Sequence, residues 1–159
     1  MLVDATGKLV GTYFPVTGNV ILNVQNALII ADVTNQSDVN TPFPSLGEQS
    51  GSTLRWAIRG QTWFLSSDCS GPPIPQSGNG LRPVAYTQDR NSGVLTAYIG
   101  GAGRSTPKRA NSVCQQTLGG GPSSGECQQQ APFGGSVQGF DIDSVVNILQ
   151  RFPSPLSIQ

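Results

Sequence analysis

TLRWAIRGQTWFLSSDCSG, residues 53–71, is the stretch on which the fold is read. Leu54, Trp56 and Ile58 alternate with Arg55, Ala57 and Arg59, a period of two that places the first set on one face of a β-strand and the second on the other. Arg59-Gly60-Gln61 supplies a turn, and a second strand follows over TWFLS, with Trp63 and Leu65 on one face and Thr62, Phe64 and Ser66 on the other. The pattern predicts one hairpin carrying both tryptophans. Large aromatics dominate core burial, so packing of Trp56 against Trp63 is the favoured reading, and a sugar-stacking platform is the competing one. After Leu65 the apolar side chains stop, and Asp68-Cys69-Ser70-Gly71-Pro72 has the chemistry of a turn.

Similar strand signals recur on both sides of this stretch. KLVGTYF (8–14) meets NVILNVQ (19–25) across Pro15-Val16-Thr17-Gly18, and ALIIADV (27–33) follows as a continuous apolar run. PVAYTQ (83–88) and GVLTAYIG (93–100) flank a polar turn, and shorter strands are expected around 111–117 and 126–130 and at the closing PLSIQ. Ile142, Val145, Val146, Leu149 and Phe152 recur at helical spacing, with Asp141 or Asp143 placed to cap the start. Twenty glycines and twelve prolines describe short elements joined by many turns. These features predict an all-β chain, an antiparallel sandwich or compact barrel with long loops and at most one short helix near residues 143–150. At 159 residues the chain fits a single β-rich domain over 1–159, and residues 34–52 are expected to form a long exposed loop and a candidate contact segment.

Composition removes several kinds of chemistry. Histidine is absent, which excludes Ser-His-Asp and Cys-His catalysis and histidine metal sites. Three cysteines without a Cys-x-x-Cys spacing cannot complete a tetrahedral zinc site, so no metal and no cofactor are expected. The turn at 89–93 lacks the acidic ligands of a calcium loop, and GGAGRSTPK (100–108) lacks the Gly-Lys-Ser/Thr ending of a phosphate loop. Asp141 and Asp143, two residues apart, cannot flank a glycosidic bond, and a carboxylate hydrolase would instead need Asp68, Asp89 or Asp141 gathered in one cleft. The residues therefore point away from an enzyme.

Nine basic residues balance nine acidic ones, so no global field favours nucleic acid. No apolar run approaches the ~18 residues of a membrane helix, and no membrane insertion is expected. Arg104, Lys108 and Arg109 form the one basic cluster, and Arg55 and Arg59 share the outer face of their strand. With Trp63, these five are the candidate binding residues, for a glycan, a receptor or a neighbouring subunit. Cys114 and Cys127 bracket a glycine-rich tip at 119–125 and are candidates for a disulfide, with Cys69–Cys127 as the alternative. One cysteine stays outside the bond in either scheme.

VDATGKLVG (3–11), WFLSSDCSGPP (63–73) and FPSPLSI (152–158) together resemble a β-rich domain found at the C-terminal end of bacterial and phage collagen-like or tail-fibre-type surface proteins. Trp63 stands where that pattern usually has tyrosine, while Cys114 and the glycine-rich segment are additions to it. No Gly-X-Y repeat occurs in the chain. The resemblance implies a non-enzymatic module at the tip of a fibrous homotrimer, cut from a longer chain and exposed outside the cell on a cell surface or virion. It supplies no ligand-binding residues.

Overall fold

The structure is a computed structural model, and it describes residues 1–35, 54–58, 60–78, 80–89, 94–116, 126–129 and 135–159. In chain order the strands are β1 (Leu2–Val3), β2 (Leu9–Phe14), β3 (Asn19–Val24), β4 (Ala27–Asn35), β5 (Leu54–Ala57), β6 (Gly60–Phe64), β7 (Gln76–Gly78) and β8 (Leu81–Gln88). They continue as β9 (Leu95–Gly100), β10 (Thr106–Arg109), β11 (Ser112–Gln116), β12 (Glu126–Gln129), β13 (Ser136–Gly139) and β14 (Ile142–Asn147). A single helical turn, α1 (Ile148–Arg151), precedes β15 (Ser157–Ile158). The fold is all-β.

The largest sheet has six strands in the order β15-β1-β2-β3-β4-β5, all paired antiparallel. Leu54 and Leu156 exchange backbone hydrogen bonds of 2.9 and 2.7 Å, which ties β5 to the residue just ahead of β15 and nearly closes the sheet into a barrel. Local sequence explains the tight connections. Asp4 Oδ1 accepts from the Thr6 N–H, the Thr6 hydroxyl and the Lys8 N–H at 2.9, 2.7 and 3.0 Å, and Gly7 takes the left-handed conformation at φ +81°. Between β3 and β4, Gln25 and Asn26 both have positive φ, the two-residue connection whose twist matches the flanking strands. A Cβ on Gly11 would run into the Ile21 carbonyl, so the close approach of β2 to β3 needs glycine there.

Period-two alternation buries Val20, Leu22 and Val24 of β3 and Ala27, Ile29, Ala31 and Val33 of β4. They share one core with Leu95, Ala97 and Ile99 of β9, Val146 of β14, and Ile148, Phe152 and Leu156 of the tail. The second sheet, in the order β14-β9-β8-β7, thus packs onto the first. The Tyr86 hydroxyl of β8 joins the two by donating to the Ile30 carbonyl at 2.6 Å. A three-stranded sheet, β12-β11-β6, and a two-stranded ribbon, β10-β13, account for the other strands among the described residues.

Five expectations need correction. The two tryptophans are not in one hairpin: β5 joins the six-stranded sheet and β6 the three-stranded one. Gly60, at φ +82°, starts β6 where the chain leaves one sheet for the other. The faces of β6 are also reversed, since Thr62 and Phe64 are buried, Trp63 is half-buried and Leu65 is 54% exposed. The Thr62 hydroxyl reaches the Tyr86 carbonyl of β8, so the face that carries Thr62 and Phe64 is the one turned toward the second sheet. Trp56 packs against Phe152 instead of Trp63, with ring centroids 6.5 Å apart.

The helical spacing over 142–152 is mostly strand. Residues 142–147 pair with β9, leaving one turn of helix capped by Asn147, whose side chain accepts from the Gln150 N–H. β-Branched Ile142, Val145 and Val146 favour the pleated conformation when a neighbouring strand is present to pair with. Asp141 and Asp143 cap nothing in this helix and instead bind Lys108 and Arg82.

Candidate functional site

WFLSSDCSG leaves the end of β6 and passes through a chain of bends at residues 65–69. Asp68 Oδ1 accepts from the Ser70 N–H and hydroxyl at 3.1 and 2.6 Å, an Asx turn that sets the loop. The Ser70 hydroxyl, followed by its N–H, holds the exposed Asp68 carboxyl below its ordinary pKa. Cys69 at φ +57° and Gly71 at φ +74° reverse the chain. Ser112 of β11 fastens the loop to the sheet. Its hydroxyl accepts from the Cys69 N–H at 2.9 Å and donates to the Ser66 carbonyl at 2.7 Å, and the residue has no solvent exposure. Asn111 adds a side-chain bond to the Leu65 carbonyl.

The second fastening is covalent: Cys69 and Cys127 form a disulfide with Cα atoms 5.8 Å apart. The shorter Cys114–Cys127 pairing is therefore not the one formed, although Cys114 does lie directly opposite Cys127 in the β11–β12 register. Docking of the 65–71 loop through Ser112 brings Cys69 to Cys127 and leaves Cys114 a thiol. Sequence spacing favoured the near neighbour because spacing does not show where a loop docks.

On the other face of this sheet Trp63 lies opposite Val113, and Val113 opposite Gln128. Gln61, two residues before Trp63 on β6, is exposed, as is Gln128. A half-buried indole beside exposed carboxamides offers a flat apolar surface together with hydrogen-bond donors and acceptors. Neither glutamine was among the sequence candidates. Gln61 could have been placed beside Trp63 from the period of two within β6, whereas the position of Gln128 on the same face depends on β6 pairing with β11 and β11 with β12.

The basic candidates are not brought into one site. Arg55 is half-buried on β5, while Arg104 is exposed ahead of β10, on the ribbon. Lys108 is held by Asp141 and Arg109 is exposed. Arg59 and residues 36–52 of the expected contact loop lie outside the described residues, and Thr34 and Asn35, expected at the start of that loop, belong instead to β4, opposite Arg55 and Leu54. Arg82, not singled out from the sequence, donates to the Gly100 carbonyl at 2.9 and 2.7 Å and to Asp143 at 2.8 Å, which ties β8 to both strands at the Gly100–Ile142 end of the β9–β14 pairing.

Among the described residues, the carboxylates of Asp4, Asp68, Asp141 and Asp143 are similarly dispersed. Asp4 sits in the β1–β2 turn, Asp68 in the β6 loop, and Asp141 and Asp143 in separate ion pairs. Asp4 is shielded from solvent by its own turn: burial pushes its carboxyl up, but hydrogen bonds from Thr6 and Lys8 and the Lys8 charge outweigh that and hold it below its ordinary value. Among the described residues no three His, Cys, Asp or Glu side chains gather to hold a metal ion, and no helix is long and apolar enough to cross a membrane. In comparisons with known protein families, curated proteins and solved structures, the chain matches none of them.

Proposed function

We propose that the protein is a non-enzymatic structural and adhesive module of a surface appendage or phage-type tail fibre. It works outside the cell as a homotrimer and touches neighbouring fibre subunits and a surface glycan or receptor. The observation that carries this reading is the Cys69–Cys127 disulfide, which locks a polar Ser/Gly loop onto a β-scaffold, as suits an oxidising compartment and exposure outside the cell. The local engagement of Asp4, Asp68, Asp141 and Asp143 supports a framework role for these carboxylates. Trimerisation would present three copies of a weak contact side by side, so avidity makes millimolar contacts effective. Native mass of the oxidised protein tests the reading: a trimer is expected, and a strict monomer at tens of micromolar would count against the fibre role.

A second reading, a carbohydrate-binding module, is supported by the half-buried Trp63 with exposed Gln61 two residues before it on β6 and exposed Gln128 beyond Val113 on the same face of the sheet. Trp56 is removed from it, because its ring is buried and its N–H is committed to Phe152. Glycan-array binding lost in a folded Trp63→Ala variant would favour this reading. Unchanged binding in that variant would end it.

A further inference from the structure

Directly opposed residues on antiparallel strands have Cα atoms about 4.5–5.5 Å apart and side chains on one face, within the roughly 4.4–6.8 Å that a disulfide spans. Cys114 and Cys127 are such a pair, while Cys127 is bonded to Cys69 at a Cα separation of 5.8 Å. Cys127 therefore has two partners within covalent reach. The third cysteine, which either pairing leaves over, acquires a role from this arrangement.

We propose that the three cysteines form an intramolecular thiol–disulfide relay, in which Cys127 bonds first to Cys114 and is then handed to Cys69. The order of events follows from chain length. Cys127 lies 13 positions after Cys114 and 58 after Cys69. Closure frequency of a flexible chain falls with the 3/2 power of loop length, so the shorter bond forms about ninefold more often in the unfolded protein. The two electrons and two protons lost in forming it pass to a small-molecule disulfide, such as oxidised glutathione, which is reduced to two thiols.

Folding then supplies the second thiol. Ser112 receives the Cys69 N–H and bonds the Ser66 carbonyl, so docking of the 65–71 loop presents Cys69 to Cys127. The Cys69 thiolate attacks Cys127 Sγ and forms the Cys69–Cys127 bond. The Cys114–Cys127 bond breaks, its electron pair leaves on Cys114, and Cys114 takes up the proton that Cys69 gave up. This step needs no external oxidant. Ser112 acts as a positioning residue, and Cys114 ends as the thiol seen in the structure.

The relay is tested by refolding reduced, unfolded protein with oxidised glutathione, quenching with acid and blocking thiols with N-ethylmaleimide at intervals. Digestion with trypsin and Glu-C separates Cys69, Cys114 and Cys127 onto different peptides, because Glu126 divides the last two. Early samples should hold Cys114–Cys127 with Cys69 alkylated, in about ninefold excess over Cys69–Cys127. Late samples should hold Cys69–Cys127 with Cys114 alkylated. Cys114→Ser should slow the appearance of Cys69–Cys127 several-fold, and Ser112→Ala should slow only the handover. Cys69→Ser should stop at Cys114–Cys127. Equal rates of Cys69–Cys127 formation in the parent and Cys114→Ser would overturn the proposal. So would a folded Cys69→Ser protein whose Cys114 and Cys127 are both alkylated at the end of refolding.

Discussion

The Trp56 Nε1–H donates to the Phe152 carbonyl at 2.9 Å, joining residues 96 positions apart, and the two buried rings meet at an angle of 46°. One polar bond within an apolar core thus fixes where the tail from α1 to β15 crosses the barrel. Lys8 lies over the same Phe152 ring with Nζ 4.8 Å from its centroid, so the first turn of the chain closes over this anchor.

Trp56→Phe retains a large ring but leaves the Phe152 carbonyl without its donor. The expected loss is about 1–3 kcal/mol in urea unfolding. Tryptic cleavage at Arg151 should accelerate in parallel; an unchanged midpoint would show that the bond contributes nothing net.

Asp4 carries an acid-sensitive contribution. Its carboxyl is held lower in the folded chain than its ordinary value of 3.8, so its stabilisation is fully present above that pH and is lost as pH falls through the lowered folded value. Asp4→Asn keeps an acceptor oxygen and removes the titration. The variant should be less stable than the parent near neutral pH, with the gap narrowing below pH 3.8. Parallel stability curves across that range would contradict the assignment.

Tyr86 supplies the alkaline counterpart. Burial, followed by the Asp32 charge, pushes its hydroxyl above the ordinary value of 10.0, although part of the residue still touches solvent. The folded state favours the protonated phenol, so its contribution holds below pH 10.0 and is lost as pH rises above that value. Tyr86→Phe should cost about 1 kcal/mol at neutral pH through the missing bond to Ile30, and should become less sensitive than the parent to alkaline unfolding. Denaturant titrations at pH 8 and above pH 10 provide the check.

The disulfide spans 58 positions, for which the chain-entropy model gives a contribution of about 4 kcal/mol. Cys69→Ser in reducing buffer should leave stability where reduction of the parent leaves it. Oxidised parent should exceed both by an amount of that order, measured as a shift in thermal midpoint.

Much of the fold was legible where one face of a strand is buried. Val20, Leu22 and Val24 alternate with Asn19, Ile21 and Asn23, and Leu54 and Trp56 with Arg55 and Ala57, and the structure keeps both alternations. Sheet membership was not legible, because a left-handed glycine at position 60 serves a hairpin or a change of sheet equally well. The 142–152 segment misled for a related reason: Val146, Leu149 and Phe152 fit a helix and also fit a strand followed by one turn, and only pairing with β9 decides. Within the loop site, the turn at Asp68–Gly71 could be read directly. Ser112 could not, because a buried serine that bonds two backbone groups of a distant loop has no local signature.

The near-closed barrel also sets a schedule for making the protein. β1 sits between β2, which begins seven residues after Leu2, and β15, at residues 157–158. On a ribosome the first strand therefore emerges with one neighbour at hand, while its other edge must wait until the final strand has been synthesised. Such distant pairing is slow to form even in a released chain. Throughout that interval the unpaired side of β1 is a docking edge for other nascent chains, and the hazard ends only when the tail swings in and Trp56 takes hold of Phe152.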